Sequence, residues 1–443
     1  MRLTPAPVAM FAVAGTLVLT GSYGLARDRV AATAQDQVLA SSAGAAVAAP
    51  TLAGTIQTLQ THLGLQPADE RSWASLGLAY VEQARVGLDP SYYPKAQAAL
   101  DHALALAPAD DGAHAGLAAL DSARHNFASA LAEADRALAV NPYSAQGLAI
   151  RIDALTELGR YPEALAAAHT ADLRTPGVPI FTRLSYQLEL RGDVRGAVAL
   201  MRRALQAASA ASDIAFVQTH LGDLARDSGD LTQASVDYAA ALAADPTTVA
   251  ATAGQARVAS LRGQQSASVA LWADVVRRAP LPEYLVEFGD LLTSLGSTAR
   301  ASQQYAVVLA SAALARANGV QTDLEIANFE SDHGDPTAAL AAAKAEWDRR
   351  HSVLVADAYA WALHAAGQDK RALTMSRFAV SLGTADARLL LHAAVIEQDV
   401  GLLPAARAHL AAAMKLGGML DLLQHQLAER TWRELAVAAG RGR

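Results

Sequence analysis

The chain has 443 residues, a net charge of −7 and a hydrophobic content of 52%, of which little is aromatic. Alanine and leucine supply most of the apolar surface, and both are strong helix formers. The acidic balance provides no basic stripe for a phosphate backbone and so argues against nucleic acid as a partner. The absence of cysteine excludes disulfides, thiol catalysis and cysteine metal sites.

Residues 1–26 have the composition of an export or anchoring segment. Residues 7–19 are apolar apart from one threonine, which is the length of a signal-peptide core. Gly24 and Ala26 place small residues where a signal peptidase requires them for cleavage after Ala26. The segment is therefore predicted to be either a cleaved signal peptide or an uncleaved anchor.

The uncharged run is long enough to cross a bilayer if it is not cleaved, so residues 7–26 are a candidate membrane tether. Residues 27–50, rich in alanine, are predicted to form a disordered tether. Either interpretation places the remaining chain outside the cytoplasm, secreted or anchored at the outer face of the cytoplasmic membrane. A disordered tail on a cytoplasmic protein is the remaining alternative.

Residues 51–66 are predicted to form an N-terminal capping helix. Apolar residues recur at helical spacing between Thr51 and Leu65. A repeat array needs such a cover, because each unit has an apolar face that it cannot bury alone.

Glycines recur through the rest of the chain at spacings of 33 to 38 residues, and an alanine or serine stands five residues after each of them. Glycine can end a helix in a left-handed conformation without steric cost, and a small residue lets the following helix approach closely. The pattern predicts a turn between two helices in each repeat. The glycines are Gly159, Gly192, Gly229, Gly263, Gly296, Gly334, Gly367 and Gly401, and the small residues are Ala164, Ala197, Ala234, Ser268, Ala301, Ala339, Ala372 and Ala406.

A second series consists of Pro108, Pro142, Pro176, Pro246 and Pro280. Each proline is predicted to end the second helix of a pair, because the residue before proline disfavours helical backbone. Between the markers, apolar residues lie three and four apart, without strand-like alternation. The chain is therefore predicted to be all-α, with about ten helix pairs between residues 67 and 416.

The first pair carries a known signature, since Trp73, Leu76, Gly77 and Tyr80 reproduce the pattern W-x2-L-G-x2-Y. Over residues 67–416 the chain resembles the tetratricopeptide-repeat superfamily. The resemblance implies a right-handed α-solenoid with a concave face lined by the first helix of each pair. Later fragments of the pattern are Leu221-Gly222 with Tyr238, and Phe288-Gly289 with Tyr305.

The runs 79–85, 123–127 and 357–363 also resemble a group of bacterial repeat proteins that are exported or membrane-anchored and have no assigned reaction. This resemblance implies a scaffold and adds no catalytic residue.

The concave face is predicted to be the partner-binding groove. Superfamily members that grip a C-terminal carboxylate place lysine, arginine and asparagine there, and this chain lacks that clamp. The predicted groove residues are Gln146, Asp153, Glu157, Thr219, Asp223, Arg226, Arg257, Glu283 and Asp290.

Residues 417–443 are predicted to form a C-terminal capping helix and tail. Leu423, Leu427 and Trp432 are available to pack, and the last residues, from Arg441, are expected to be disordered.

The sequence contains no nucleotide-binding, zinc-protease or hydrolase signature. Residues 332–335 (Asp-His-Gly-Asp) could share a metal ion, but helix capping at a turn is the favoured interpretation. His125 stands in the register of the turn glycines and is interpreted in the same way. No catalytic residue, cofactor or metal site is predicted.

The leading functional hypothesis is a non-catalytic scaffold that binds a protein partner in its groove. The first alternative is a solenoid that binds an envelope lipid or glycan along an alanine-lined concave surface. The second is an enzyme whose site is assembled only in the superhelix, which a pocket gathering the dispersed histidines and carboxylates would favour.

Overall fold

A computed structural model of the protein describes residues 51–441, with side chains up to residue 438. The segments predicted at residues 1–26 and 27–50 lie outside this part. Within residues 51–441, no helix combines the length and the apolar character that a membrane span requires.

The described chain consists of helices and short connections, so the predicted all-α solenoid is confirmed. A first helix, α1 (Leu52–Leu65), precedes ten antiparallel pairs, and a last helix follows them. Unit 1 comprises α2 and α3, unit 2 comprises α4 and α5, and so on to unit 10. The paired helices are α2 (Glu70–Gly87), α3 (Tyr92–Leu106), α4 (Asp111–Ala123), α5 (Phe127–Val140), α6 (Ala145–Glu157), α7 (Tyr161–Arg174), α8 (Val178–Glu189), α9 (Val194–Ala207), α10 (Ala211–Asp227), α11 (Leu231–Ala244), α12 (Val249–Leu261), α13 (Gln265–Arg278), α14 (Pro282–Ser294), α15 (Thr298–Ala317), α16 (Asp323–His333), α17 (Pro336–Arg349), α18 (Val353–Ala365), α19 (Asp369–Ala379), α20 (Ala387–Asp399) and α21 (Leu403–Leu416), and the last helix is α22 (Leu422–Arg441).

The turn markers behave as predicted in all but one unit. Seven of the eight glycines have φ between 71° and 86°, and every small residue five positions later is buried. Gly334 is the exception, because its φ of −135° lies outside the left-handed region. There the Glu330 carboxylate accepts a hydrogen bond from the Asp335 amide (2.8 Å), so a side chain closes this turn. The left-handed conformation predicted for Gly334 is therefore wrong.

The signature glycines inside the first helices provide room for a large residue of the second helix. A Cβ on Gly77 would lie 2.5 Å from the Leu100 side chain, and one on Gly222 would lie 2.6 Å from the Tyr238 ring. Since real Cβ atoms are not this close to other atoms, only glycine permits the observed packing. These contacts explain why the glycine and the later leucine or tyrosine recur together.

Helices α1 and α22 lie at the two ends of the array. Helix α1 packs on unit 1 through buried Leu63, and Gln60 donates a hydrogen bond to the Tyr80 hydroxyl (2.7 Å). Helix α22 packs on unit 10 through Leu427 and Trp432. It continues as far as Arg441, where the sequence predicted a disordered tail.

Successive turns of the superhelix contact each other, which the sequence did not predict. The turn inside unit 2 meets the linker between units 7 and 8. The Gln321 amide donates to the Arg124 carbonyl (3.0 Å), and Nδ1 of His125 lies 2.8 Å from the Gln321 carbonyl oxygen. His125 has the left-handed φ of 59° expected from its register, and in addition it joins two turns of the superhelix.

One unit further, the turn inside unit 3 meets the linker between units 8 and 9. The Val353 amide donates to the Tyr161 hydroxyl (2.7 Å), and Arg350 forms an ion pair with Glu157. A Cβ on Gly159 would overlap the His351 carbonyl oxygen, so the two backbones are in direct contact.

The same offset continues along the array. A Cβ on Gly192 in unit 4 would lie 2.5 Å from the carbonyl oxygen of Gly383, between units 9 and 10. Gly418, after unit 10, packs in the same way on the Arg226 carbonyl of unit 5. We call these contacts the seam. It joins residues 124–125 to 319–321, residues 157–161 to 350–353, Gly192 to Gly383, and Arg226 to Gly418. One superhelical turn therefore takes between five and six units.

Candidate functional site

The seam closes the concave face into a central cavity of about 960 Å³. Its wall is formed mainly by the first helices of units 4 to 10. The start of α22 completes it, because Leu422 packs against the cluster that contains Phe288 and Leu291 of α14. The groove predicted on the concave face is thus a deep cavity that stays partly open to solvent.

Six of the nine predicted groove residues line this cavity. They come from three first helices, α10, α12 and α14, which the superhelix places side by side. The six residues are Thr219, Asp223, Arg226, Arg257, Glu283 and Asp290.

The other three predicted residues lie on α6, outside the cavity wall. Asp153 is 3% exposed and accepts two hydrogen bonds from the Arg183 guanidinium (2.8 and 2.5 Å), so its carboxylate is occupied inside the array. Glu157 belongs to the seam through Arg350. Gln146 is half-buried in the first turn of α6. The structure therefore does not bring these three together with the other six.

Two cavity arginines are neutralised by cavity carboxylates. Arg226 lies 3.2 Å from Asp223 and 2.6 Å from Asp227. Arg257 donates two hydrogen bonds to Glu287 (2.7 and 2.6 Å), the bidentate geometry that suits guanidinium and carboxylate. Burial acts to lower the pKa of Arg257, but Glu287 raises it well above its usual value. Both arginines therefore stay charged and held in place.

The cavity nevertheless carries an excess of negative charge. Ten carboxylates line it, against five arginines and no lysine. Among the described residues, six of these carboxylates form no ion pair with an arginine or lysine, and these six are Glu189, Asp290, Glu325, Asp332, Asp386 and Asp421.

Neutral donors hold most of these six carboxylates. Trp361 Nε1 donates to Asp332 (2.6 Å), and the Tyr305 hydroxyl donates to Asp290 (2.6 Å). Asp386 accepts from two backbone amides at the start of α20. Such bonds orient the carboxylates without neutralising their charge.

The carboxyl groups of Asp421 and Asp290 lie close enough to influence each other. Burial, followed by the charge of Asp290, raises the pKa of Asp421 to about 7. Burial also raises the pKa of Glu189 to about 7. Since a shift of this kind means that the charged form is disfavoured, a cation placed in the cavity would be bound with proton release.

Some residues of the cavity wall were not predicted, although they share a sequence position with residues that were. The residue six positions before a turn glycine lines the cavity in units 4 to 9. Three predicted groove residues, Asp223, Arg257 and Asp290, occupy this position. Tyr186, Asn328 and Trp361 occupy the same position and also line the cavity. The carboxylates of Asp386 and Asp421 follow no such register, because they stand in linkers.

Alanine does not line the concave surface, so that part of the lipid or glycan hypothesis is wrong. The cavity wall contains only two alanines among the described residues, Ala250 and Ala385. Most alanines are instead buried between paired helices, where their small side chains permit close packing.

Two groups of residues could in principle bind a metal ion, but the structure gives their side chains other contacts. Within residues 332–335, Asp335 caps α17 by accepting from the Thr337 amide (2.8 Å), and His333 Nε2 lies 3.1 Å from Asp290. A group not singled out in the sequence is His364, Asp369 and Asp399, whose ligand atoms lie within 4.8 Å of one another. His364 already contacts Asp369 at 2.8 Å, as in an ordinary surface ion pair.

No protein-family model matches the sequence, and no curated protein matches it. Solved structures do resemble parts of the fold. PilF of Pseudomonas aeruginosa is 20% identical, with a TM-score of 0.37, over 48% of this chain and 93% of PilF. TTC0263, a tetratricopeptide-repeat protein of Thermus thermophilus, is 23% identical, with a TM-score of 0.38, over 43% of this chain and 97% of TTC0263.

Human IFIT1, solved as a dimer with PPP-AAAA, is 13% identical, with a TM-score of 0.46, over 83% of this chain and 87% of IFIT1. These similarities concern the fold alone. The described chain has ten helix pairs, with the W-x2-L-G-x2-Y signature in the first pair and glycine turns at spacings of 33 to 38 residues in the later ones. It is therefore an α-solenoid of the tetratricopeptide-repeat type.

Proposed function

We propose that this protein is a non-catalytic scaffold that holds a segment of a partner protein in its central cavity. The observation that carries the proposal is the cavity of about 960 Å³, walled by the first helices of seven units. Solenoids use this face for binding, because it is the surface on which successive repeats present side chains to one ligand.

Site-specific photo-crosslinking in living cells tests this proposal. A photoreactive amino acid replaces Asn328 or Gln424, which line the cavity, or the exposed Arg202 or Thr232, which lie on second helices. We expect a discrete protein adduct from the two cavity positions and none from the two outer positions. Adducts from the outer positions alone would overturn the proposal.

We also propose that the protein works outside the cytoplasm, secreted or anchored by residues 7–26. The support is the apolar stretch of residues 7–19 and the small residues before Arg27. N-terminal sequencing of the protein from fractionated cells tests it. A chain starting near Arg27 outside the membrane, or an intact membrane-held chain, fits the proposal, and an intact soluble cytoplasmic chain contradicts it.

An enzyme is the second candidate, because the cavity gathers ten carboxylates and two histidines, His220 and His392. The raised pKa of Asp421 beside Asp290 suits a general acid. Turnover of glycan, ester or peptide substrates that Asp421→Asn abolishes would replace the scaffold proposal. In the described residues, no serine or threonine hydroxyl is hydrogen-bonded to a histidine, which speaks against a hydrolase of the serine type.

A further inference from the structure

We propose that the occupant of the cavity is an extended, cationic segment of a partner protein, carrying several lysine or arginine side chains. This inference rests on the proposed scaffold function and specifies the chemistry of what the scaffold holds. It is carried by the shape of the cavity together with the kind and distribution of side chains in its wall.

The first argument is the charge of the cavity wall. The six carboxylates without an arginine or lysine partner come from units 4, 7 and 8 and from the linkers before α20 and α22. Asp290, Asp332 and Asp421 influence one another, and the other three come from other parts of the wall. Carboxylates in a confined space of low dielectric repel one another, and positive charges between them would relieve that repulsion. An anionic occupant would add to the repulsion.

The second argument is the apolar surface between these carboxylates. Phe216, Leu224, Leu291 and Phe329 line the same cavity. Lysine and arginine have long hydrocarbon stems that pack on apolar surface while the charged end reaches a polar group. A wall that contains both apolar side chains and carboxylates suits lysine and arginine side chains better than it suits a simple metal ion.

The third argument is that four of the five cavity arginines are already engaged by carboxylates. Arg85 pairs with Glu82 and Arg183 with Asp153. The fifth, Arg388, lies two residues from Asp386. Burial acts to lower the pKa of Arg388, but the charge of Asp386 raises it above its usual value. Arg226 and Arg257 are held by Asp223, Asp227 and Glu287. They are therefore not free to receive the terminal carboxylate of a partner. The binding mode differs from a carboxylate clamp and depends on basic side chains along the segment.

The test measures binding of fluorescent synthetic peptides to the full chain by anisotropy. In the three peptides, alanine alternates with lysine, glutamine or glutamate, and each carries a photoreactive residue for mapping by mass spectrometry. The cavity variant combines Glu189→Gln, Asp386→Asn and Asp421→Asn, which keep side-chain size and the capping oxygens. The matched control combines Glu163→Gln, Asp135→Asn and Asp348→Asn, three exposed carboxylates outside the cavity. Binding is measured at about pH 8, above the raised pKa of Glu189 and Asp421, so that the two variants lose nearly the same charge.

We expect the lysine peptide to crosslink to cavity residues and to bind the cavity variant at least roughly tenfold more weakly than the control, a change of about 1.4 kcal/mol. The affinity should also fall as salt increases, because the attraction is electrostatic. Thermal unfolding of both variants establishes that they are folded.

Four outcomes would overturn the inference, and the last of them would also overturn the proposed function. If the cavity and control variants bound the lysine peptide equally weakly, the overall charge of the protein would be what attracts the peptide. Equal cavity binding of spermine, a small cation, would remove the need for a protein segment. Stronger cavity crosslinking by the glutamine or glutamate peptide would disprove the cationic assignment while leaving the scaffold function intact. Failure of every peptide to crosslink in the cavity, together with failure of the in-cell crosslinks, would overturn both proposals.

Discussion

Arg350 forms an ion pair with Glu157 although 193 residues separate them along the chain. Arg350 is 6% exposed, also pairs with Glu346, and lies 4.8 Å above the ring of Phe127. One guanidinium therefore joins unit 3 to the linker after unit 8, on the next turn of the superhelix. Its removal would leave the largely buried Glu157 carboxylate without its partner, whereas Glu346 would keep its pair with Arg349.

We expect Arg350→Ala to lower the free energy of unfolding by about 3–5 kcal/mol, because breaking a buried ion pair leaves an uncompensated charge. Urea denaturation measures this loss, and small-angle scattering should show a larger radius of gyration. Lys344→Ala, in helix α17 that ends just before Arg350, removes an exposed pair with Asp348 and should lower the free energy of unfolding far less. Equal costs for the two variants would show that the seam contributes little.

Two turn glycines with the same backbone angle provide a sharper test of the seam. Gly159 and Gly296 both have φ of 76°, so alanine at either position costs about 1–2 kcal/mol for the left-handed conformation alone. A Cβ at Gly159 also overlaps the His351 carbonyl oxygen, whereas a Cβ at Gly296 meets no atom within 4 Å. We expect Gly159→Ala to be worse by a further 1–3 kcal/mol or so in urea denaturation, in line with overpacking of a tight contact.

The buried pair of Asp153 and Arg183 should matter for stability. Arg183→Met leaves Asp153 unpaired and should cost about 3–5 kcal/mol of unfolding free energy, measured by urea denaturation. Adding Asp153→Leu should recover much of that loss, because an apolar pair of similar volume can replace a buried ion pair. A double variant that is no more stable than Arg183→Met would contradict this account of the pair.

Asp421 should make the protein less stable as the pH rises. Its pKa is raised to about 7 in the folded chain, so its stabilising contribution is complete below its unfolded pKa of about 3.9 and is lost as the pH rises through 7. The groups that face it are Asp290 and Glu287 of α14, Tyr305 of α15, and Asp332 and His333 of α16.

We therefore expect Asp421→Asn to raise the melting temperature at about pH 8 and to change it little at about pH 4, since Asn has no charge to lose. Asp135→Asn, at an exposed site paired with Arg151, is the control and should leave the pH profile unaltered. A parallel shift of both variants at all pH values would contradict the raised pKa.

The sequence predicted the repeats well because their signals are local. A turn glycine, a small residue such as Ala164 and a proline such as Pro142 each act within one helix pair. Closure of the superhelix was not predicted, because it depends on the sum of small rotations between units and brings together residues such as Gly192 and Gly383. Six groove residues were found through their register on first helices, whereas Asp386 and Asp421 reach the cavity from linkers whose positions only the closed array defines.

The seam also fixes how many repeats must lie between its two sides. In an open solenoid each unit contacts only its neighbours, so whole units can be gained or lost during evolution with local consequences. Here the turn of each of units 2 to 5 must meet a linker five to six units later, and Gly159 and Gly192 must each face a carbonyl group. Deleting one unit between them and their partners would misalign every such contact at once, so the number of units within one superhelical turn is fixed.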